Sequence, residues 1–367
     1  MVVMDLTLNN IFTFNDFHIN MAYPKRIVNS NIEDEFLSEC PNFRYKKLVI
    51  LMGANASGKT TLGRSLMGIF NFISKKTPDS ITSCINDKTK NASFSLEFVT
   101  NTKTLYRVEA TIRPTEADSY REEDIDLVVK SVSINKQDSY ETCVKRLDDL
   151  ESEKISYIKA LDEVESIGWF FSYPQPENNI KNTKRLERKD FCSVLDIVLS
   201  ALDPSIQGIK EGTDIEGSYV IKLSGHDLIL TDERILNGEM LSSGTKSGID
   251  IAIMLTSMIT HKNGFYYCDE KFSYIHSDME KEILAKMVEK LGNNEQLFFT
   301  THNTDILDMT LPKHSFVFLK KEKVCEGFGV RCVYADTYLK RNTDSLRKAV
   351  ENDLFSIAPN VSRINQL

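Results

Sequence analysis

The 367 residues carry 45 lysines and arginines against 53 aspartates and glutamates, a formal net charge of -8. With 41% hydrophobic and 27% charged residues the chain is too apolar for wholesale disorder, and its negative balance excludes a uniformly basic coat for nucleic acid. No apolar run approaches the ~20 residues that a membrane span needs, so no membrane attachment is expected. The start "MVVMDLTLNN" lacks the basic head and apolar stretch of a secretory leader. Seven scattered cysteines (Cys40, Cys84, Cys143, Cys192, Cys268, Cys325 and Cys332) form no C-x-x-C pair. They read as free thiols of a reducing cytoplasm rather than as a disulfide frame or a zinc site.

In chain order, the first 25 residues alternate apolar and polar positions around Asn-Asn and Asn-Asp turns, which predicts two short strands in a hairpin. Residues 47–52, "KLVILM", predict a strand buried on both faces, and a helix is expected from Gly58 to about Phe72. "NASFSLEFV" and "TLYRVEATIR" predict an antiparallel pair. Acidic residues crowd positions 116–126. Val144, Leu147, Leu150, Ile155, Ile158, Leu161 and Val164 then recur at mostly three-residue intervals, which predicts one amphipathic helix. A second helix is expected through "DFCSVLDIVLSAL", ended by Asp203-Pro204. Residues 113–189 are read as a largely helical module inserted into an α/β domain formed by 1–112 and 190–335. Residues 336–367 form a C-terminal tail, with "TDSLRKAVENDLF" as a helix.

The strongest chemical signal is "GANASGKT", Gly53 to Thr60, which fits G-x-x-x-x-G-K-[ST] between a buried strand and a helix. Glycines at 53 and 58 let the loop curl so that its amides, with those of Asn55, Ala56, Ser57 and Thr61 nearby, face phosphate oxygens. The helix start adds its positive dipole end. Lys59 supplies charge to the β- and γ-phosphates, and the Thr60 hydroxyl suits magnesium. Three further stations follow. "LSSGTKSG" (Leu241, Ser242, Ser243, Gly244, Thr245 onward) opens an apolar helix and offers a second anion-binding N-terminus, although serine and threonine there serve equally as plain caps. "FYYCDE" is a strand ending in Asp269 and Glu270, placed to hold magnesium and to act as general base. "QLFFTTHN" is a strand ending at His302, a residue able to sense a γ-phosphate.

Taken together in this order, these stations resemble the ABC-type ATPase head, an α/β P-loop NTPase with an N-terminal antiparallel β lobe. "LSSGT" looks like the variant of SMC-like, RecF-like and OLD-type ATPases rather than that of transporters. "GANASGKTT" and "SLRKAVENDLF" are similar to the stand-alone ATPases of bacterial anti-phage systems of the Septu and PARIS kind. Ile275-His276 resembles the Leu-His-Pro segment of that group, with Ser277 in place of the proline. The resemblance implies a slow regulatory ATPase using ATP and magnesium. It implies a homodimer in which residues 241–245 of one copy complete the site of the other, and a separate toxin or nuclease as effector. The group's magnesium-linking glutamine is assigned to Gln175, with Gln207 as runner-up, and the adenine contact to Phe12, Phe14 or Tyr23. A RecF- or SMC-like DNA ATPase is the alternative. The basic tract Lys181, Lys184, Arg185, Arg188 and Lys189 would then meet phosphates, although a solvated linker explains it as well.

Overall fold

The computed structural model describes all residues except 29, 118, 152–154, 174–185, 214–216, 232–234, 237–240, 325–326, 342 and 358–367, with backbone alone at 226, 235–236, 324 and 327. The chain divides into two compact units. One is Met1–Trp169 with Gly264–Tyr266 and Asn293–Leu367; the other is Phe170–Asn263 with Tyr267–Gly292.

The first unit begins with strands β1 (Val2–Asn9), β2 (Phe17–Asn20), β3 (Phe36–Leu37), β4 (Cys40–Arg44) and β5 (Leu48–Met52). Helices α1 (Lys59–Lys75) and α2 (Asp79–Thr82) follow, then β6 (Ala92–Val99), β7 (Thr104–Ile112) and β8 (Ile125–Ser133). Next come α3 (Tyr140–Asp148), α4 (Tyr157–Asp162) and the opening of β9 (Trp169–Ser172), which runs into the second unit. That unit holds α5 (Arg188–Leu202), β10 (Ile206–Glu211), β11 (Tyr219–Leu223), β12 (His226–Leu230), β13 (Ile235–Leu236) and α6 (Ser243–Ile259). It also takes the end of β14 (Phe265–Asp269) and all of α7 (Ser277–Lys290). The chain then returns with β15 (Gln296–Thr300), β16 (Phe316–Val324), β17 (Gly327–Tyr334), α8 (Ala335–Tyr338) and α9 (Leu346–Glu351).

In the first unit an antiparallel sheet runs β2-β1-β6-β7-β8. It contains the predicted N-terminal hairpin, with Leu8 opposite Phe17, and the predicted pair, with Ala92 opposite Ile112. The apolar run 48–52 is fully buried as β5. Parallel β15 and β16 flank it, which explains why it lacks polar alternation. Its sheet continues antiparallel from β16 to β17, and at the other side Gly168 O accepts from the amides of Gly264 and Phe265. Gln296, fully buried, donates to the carbonyls of Val3 and Lys46 and accepts from Val3 N at 2.9 Å.

Two helical expectations are corrected. The pattern from 144 to 164 is not one helix: α3 ends at Asp148 and α4 begins at Tyr157. Asp148, Asp149 and Glu151 stack negative charge at the negative end of α3, which stops propagation. Leu150, Ile155 and Ile158, read as part of the apolar stripe, are exposed. The last helix is shorter than "TDSLRKAVENDLF": α9 stops at Glu351, and Asp353 turns left-handed (φ 51). Phe355 is thereby brought back to stack on Phe318, with centroids 4.2 Å apart.

In the second unit α5 packs along α6, where a Cβ on Gly248 would meet Leu199 and Leu202 at 2.7 and 2.6 Å. The predicted stop at Asp203 holds. A meander β10-β11-β12-β13 flanks the pair, joined through Phe191, which meets Tyr219 edge-on at 5.0 Å.

Candidate nucleotide site

The loop after β5 has the backbone of a phosphate cradle. Gly58 is left-handed (φ 107) and buried beside Phe14, and Ala56 is also left-handed (φ 62). A Cβ on Gly53 would lie 2.5 Å from Leu319 O and 2.7 Å from Ser57 Oγ, so the close approach itself requires glycine. α1 starts at Lys59 with no side-chain cap. Its first-turn amides therefore keep the open, electropositive face on which anions bind at helix starts. Ser57 is 2% exposed, and among the described residues its Oγ has no hydrogen-bond partner. A buried orphan hydroxyl and an uncapped helix start on one curled loop fit a bound phosphate chain. Asn55 and Ala56 are exposed at the loop tip, and Thr60 and Thr61 are half-buried.

Topology brings the histidine to this loop. β15 runs parallel to β5, pairing Thr300 with Leu51, so the C-terminal tips of the two strands lie side by side. Lys59 follows one tip and His302 the other. Lys59 Nζ donates to Gly53 O at 3.1 Å and stands 3.2 Å from His302 Nε2. Lys59 is buried, whereas His302 is exposed at the mouth. The Lys59 ammonium carries donors only, so it sets a positive charge beside the His302 ring at the loop, where an anion is favoured.

Of the aromatic candidates, Phe14 is fully buried against Phe17, with centroids 4.3 Å apart. Tyr23 is covered by the His314 ring at 4.6 Å. Phe12 is half-buried in a left-handed turn (φ 48) and donates its amide to Cys84 O.

In the second unit Ser242 caps α6: its Oγ accepts from Thr245 N at 3.0 Å and lies 2.7 Å from Thr245 Oγ1. Thr245 Oγ1 in turn donates to Asp203 Oδ2. Ser242 and Ser243 are exposed, Thr245 and Leu241 are buried, and a Cβ on Gly244 would meet Tyr274 O at 2.8 Å. β14 ends in fully buried Asp269. Glu270 follows in a left-handed conformation (φ 44), which costs a non-glycine residue of order 1 kcal/mol. Burial pushes the Cys268 thiol far above its ordinary range, consistent with core filler. His276 caps α7 through Nδ1, which accepts from Asp278 N.

Sequence reasoning missed one element of this tip. Lys271 forms an ion pair with Asp250 of α6, both side chains 1% exposed, and Lys271 Nζ also donates to Tyr173 O at 2.5 Å. The signal was present: Asp250 interrupts the otherwise apolar "IDIAIMLTSMI", and a buried acid in an apolar helix calls for a counter-charge. Gln175 lies outside the described residues, as do Lys181, Lys184 and Arg185. Gln207 sits on β10, exposed, donating to Ser224 Oγ. Arg188 and Lys189 are exposed at the start of α5.

The architecture is that of SMC head P-loop domains. The SMC head bound to the C-terminal winged-helix domain of ScpA superposes with a TM-score of 0.52 at 13% identity, covering 92% of this chain and 100% of that one. The Smc head domain with an extended coiled coil bound to the C-terminal domain of ScpA, from Pyrococcus furiosus, gives 0.50 at 10% identity, covering 92% and 98%. At such identities the likeness carries the fold alone. No curated protein matches the sequence. No described helix is long and apolar enough to cross a membrane. Residues 48–308, more than half of the chain, match the family described as "AAA domain, putative AbiEii toxin, Type IV TA system", and the chain belongs to that family.

Proposed function

We propose that the protein is an ATP-binding and ATP-hydrolysing switch. The observation that carries the reading is the loop at 53–60: an uncapped helix start, the orphan Ser57 hydroxyl, and Lys59 held 3.2 Å from His302. In this reading the loop amides and Lys59 hold the phosphates, and His302 orients the γ-phosphate. Thr60 and Asp269 are the magnesium residues, with Gln175 a third by resemblance. The metal, when bound, offsets charge developing on the β- and γ-phosphate oxygens. Glu270, carried on its left-handed backbone, takes the proton of the attacking water.

The active form is a homodimer in which residues 241–245 of each copy reach the nucleotide of the other. Ser243, exposed and free of capping duty, is the hydroxyl best placed to act. Ser242 already serves its own helix. Closing and reopening of the pair signals to a separate effector protein, and the toxin–antitoxin wording of the family supports a defence role for that output. The residue roles rest on the motif resemblance together with the loop geometry.

Hydrolysis by the full chain with magnesium and ATP tests the reading, alongside Lys59→Ala and Glu270→Gln. Lys59→Ala should bind no nucleotide. Glu270→Gln should bind ATP, lose about 10²- to 10⁴-fold in turnover, and accumulate as a dimer on size-exclusion chromatography. A Glu270→Gln protein with wild-type turnover would remove the general-base assignment.

A further inference from the structure

β16 and β17 pair from Val317 opposite Tyr334 to Val324 opposite Gly327. Because side chains alternate along a strand, Leu319, Lys321 and Lys323 share one face with Cys332, Val330 and Phe328. The inner part of this face packs on the first unit's core. The Tyr334 hydroxyl accepts from Asn20 N, and Val330, 3% exposed, lies 3.7 Å from where a Cβ on Gly58 would sit, beside the Phe14 ring at 3.3 Å. One repeat further out, about 7 Å along the strand, the same face presents Phe328. This ring is 56% exposed, with Lys321 Nζ 5.4 Å from its centroid. An exposed aromatic ring thus stands one strand repeat beyond Val330, which borders Gly58 of the phosphate loop, with a cation over one face.

We propose that Phe328 is the stacking platform for the nucleotide's base, oriented by Lys321. The proposal rests on the reading of 53–60 as a nucleotide site and names the group that holds the other end of the ligand. The aromatic residues nearer the N-terminus are less exposed than Phe328: Phe14 is fully buried, Tyr23 is half-buried with the His314 ring at 4.6 Å, and Phe12 is half-buried in a turn. A planar base needs an exposed aromatic ring near the phosphates, and Phe328, about 7 Å beyond Val330 along β17, supplies one. Stacking of this kind tolerates any base, so it contributes affinity rather than strict choice of purine.

The test is calorimetric titration of the full chain with magnesium and two ligands, ATP and inorganic tripolyphosphate, which has no base. Phe328→Ala should weaken ATP by roughly 5- to 150-fold, as loss of one base–aromatic stack does, and leave tripolyphosphate unchanged. Phe328→Trp should restore ATP affinity. Wild-type ATP affinity in Phe328→Ala overturns the proposal, as does a parallel loss of both ligands. A base-dependent loss found in Phe12→Ala instead also overturns it. In each of these cases nucleotide binding lost in Lys59→Ala leaves the proposed function standing. A wild-type chain that binds neither ligand removes both readings.

Discussion

Lys271→Met is expected to cost about 3–5 kcal/mol, because it takes the ammonium partner away from the Asp250 carboxylate in the interior of the second unit. Both partners are 1% exposed, and the neighbours of Asp250 on α6, Ile249, Ile251, Ala252 and Ile253, are each at most 1% exposed. At 1% exposure neither charge meets solvent, so the lower figures typical of surface pairs do not apply. Removing both charges behaves differently. Lys271→Met with Asp250→Leu replaces two desolvated ions by apolar volume and should return stability to within about 1 kcal/mol of wild type. Urea unfolding followed by far-UV circular dichroism reads the shift as a change of midpoint at unchanged slope. With Asp250→Leu alone costing a similar amount, the four proteins of the cycle give a coupling energy of about 5 kcal/mol or more. A single variant that loses less than about 1 kcal/mol, or a double variant as unstable as the sum of the singles, would refute a buried, mutually dependent pair.

Three other outcomes are expected. Gly53→Ala places a methyl 2.5 Å from a backbone carbonyl, which should weaken ATP binding by at least about tenfold with an unchanged circular dichroism spectrum. His302→Ala should spare most ATP affinity and slow hydrolysis by about tenfold or more, read as turnover at saturating ATP. The third concerns pH. Burial lowers the Lys46 amine from 10.5 to about 8, so between these values the unfolded chain holds more protons than the folded one. The penalty is fully present below pH 8, and stability rises as pH climbs toward 10.5. Relative to Lys46→Met, the wild type should gain up to about 2 kcal/mol between pH 8 and pH 10, and a flat difference over that range would contradict the burial argument.

The phosphate loop was legible because its chemistry demands adjacent residues: two glycines, a lysine and a hydroxyl in eight positions leave a contiguous trace. β5 was legible for a related reason, since a strand buried on both faces has no polar alternation. The junction of Lys59 with His302 depended on which strand lies beside β5, a long-range fact that periodicity does not encode. The Lys271–Asp250 pair was hidden because a lysine directly after two acids reads as surface charge. The break between α3 and α4 was missed because apolar spacing was weighed above the charges of Asp148, Asp149 and Glu151. A local electrostatic term won over periodicity there. Ser242 carried two compatible readings, cap and ligand. The structure realises the first in its hydrogen bonds and leaves Ser243 outward.

The Gln296 side chain carries a further consequence. A primary amide has the donor and acceptor of a peptide group, and here it meets the amide and carbonyl of Val3 at the irregularity between Val3 and Asp5 in the pairing of β1 with β6. It therefore behaves as a strand one residue long, inserted where the ladder skips. If β1 slid by a single position, those two backbone groups and the amide would face one another out of phase inside the protein, and each inward side chain of β1 would swap to the opposite side. One carboxamide from almost three hundred residues away thus locks the same register that the pairing with β6 sets, tying the first strand to the sheet that carries the phosphate loop.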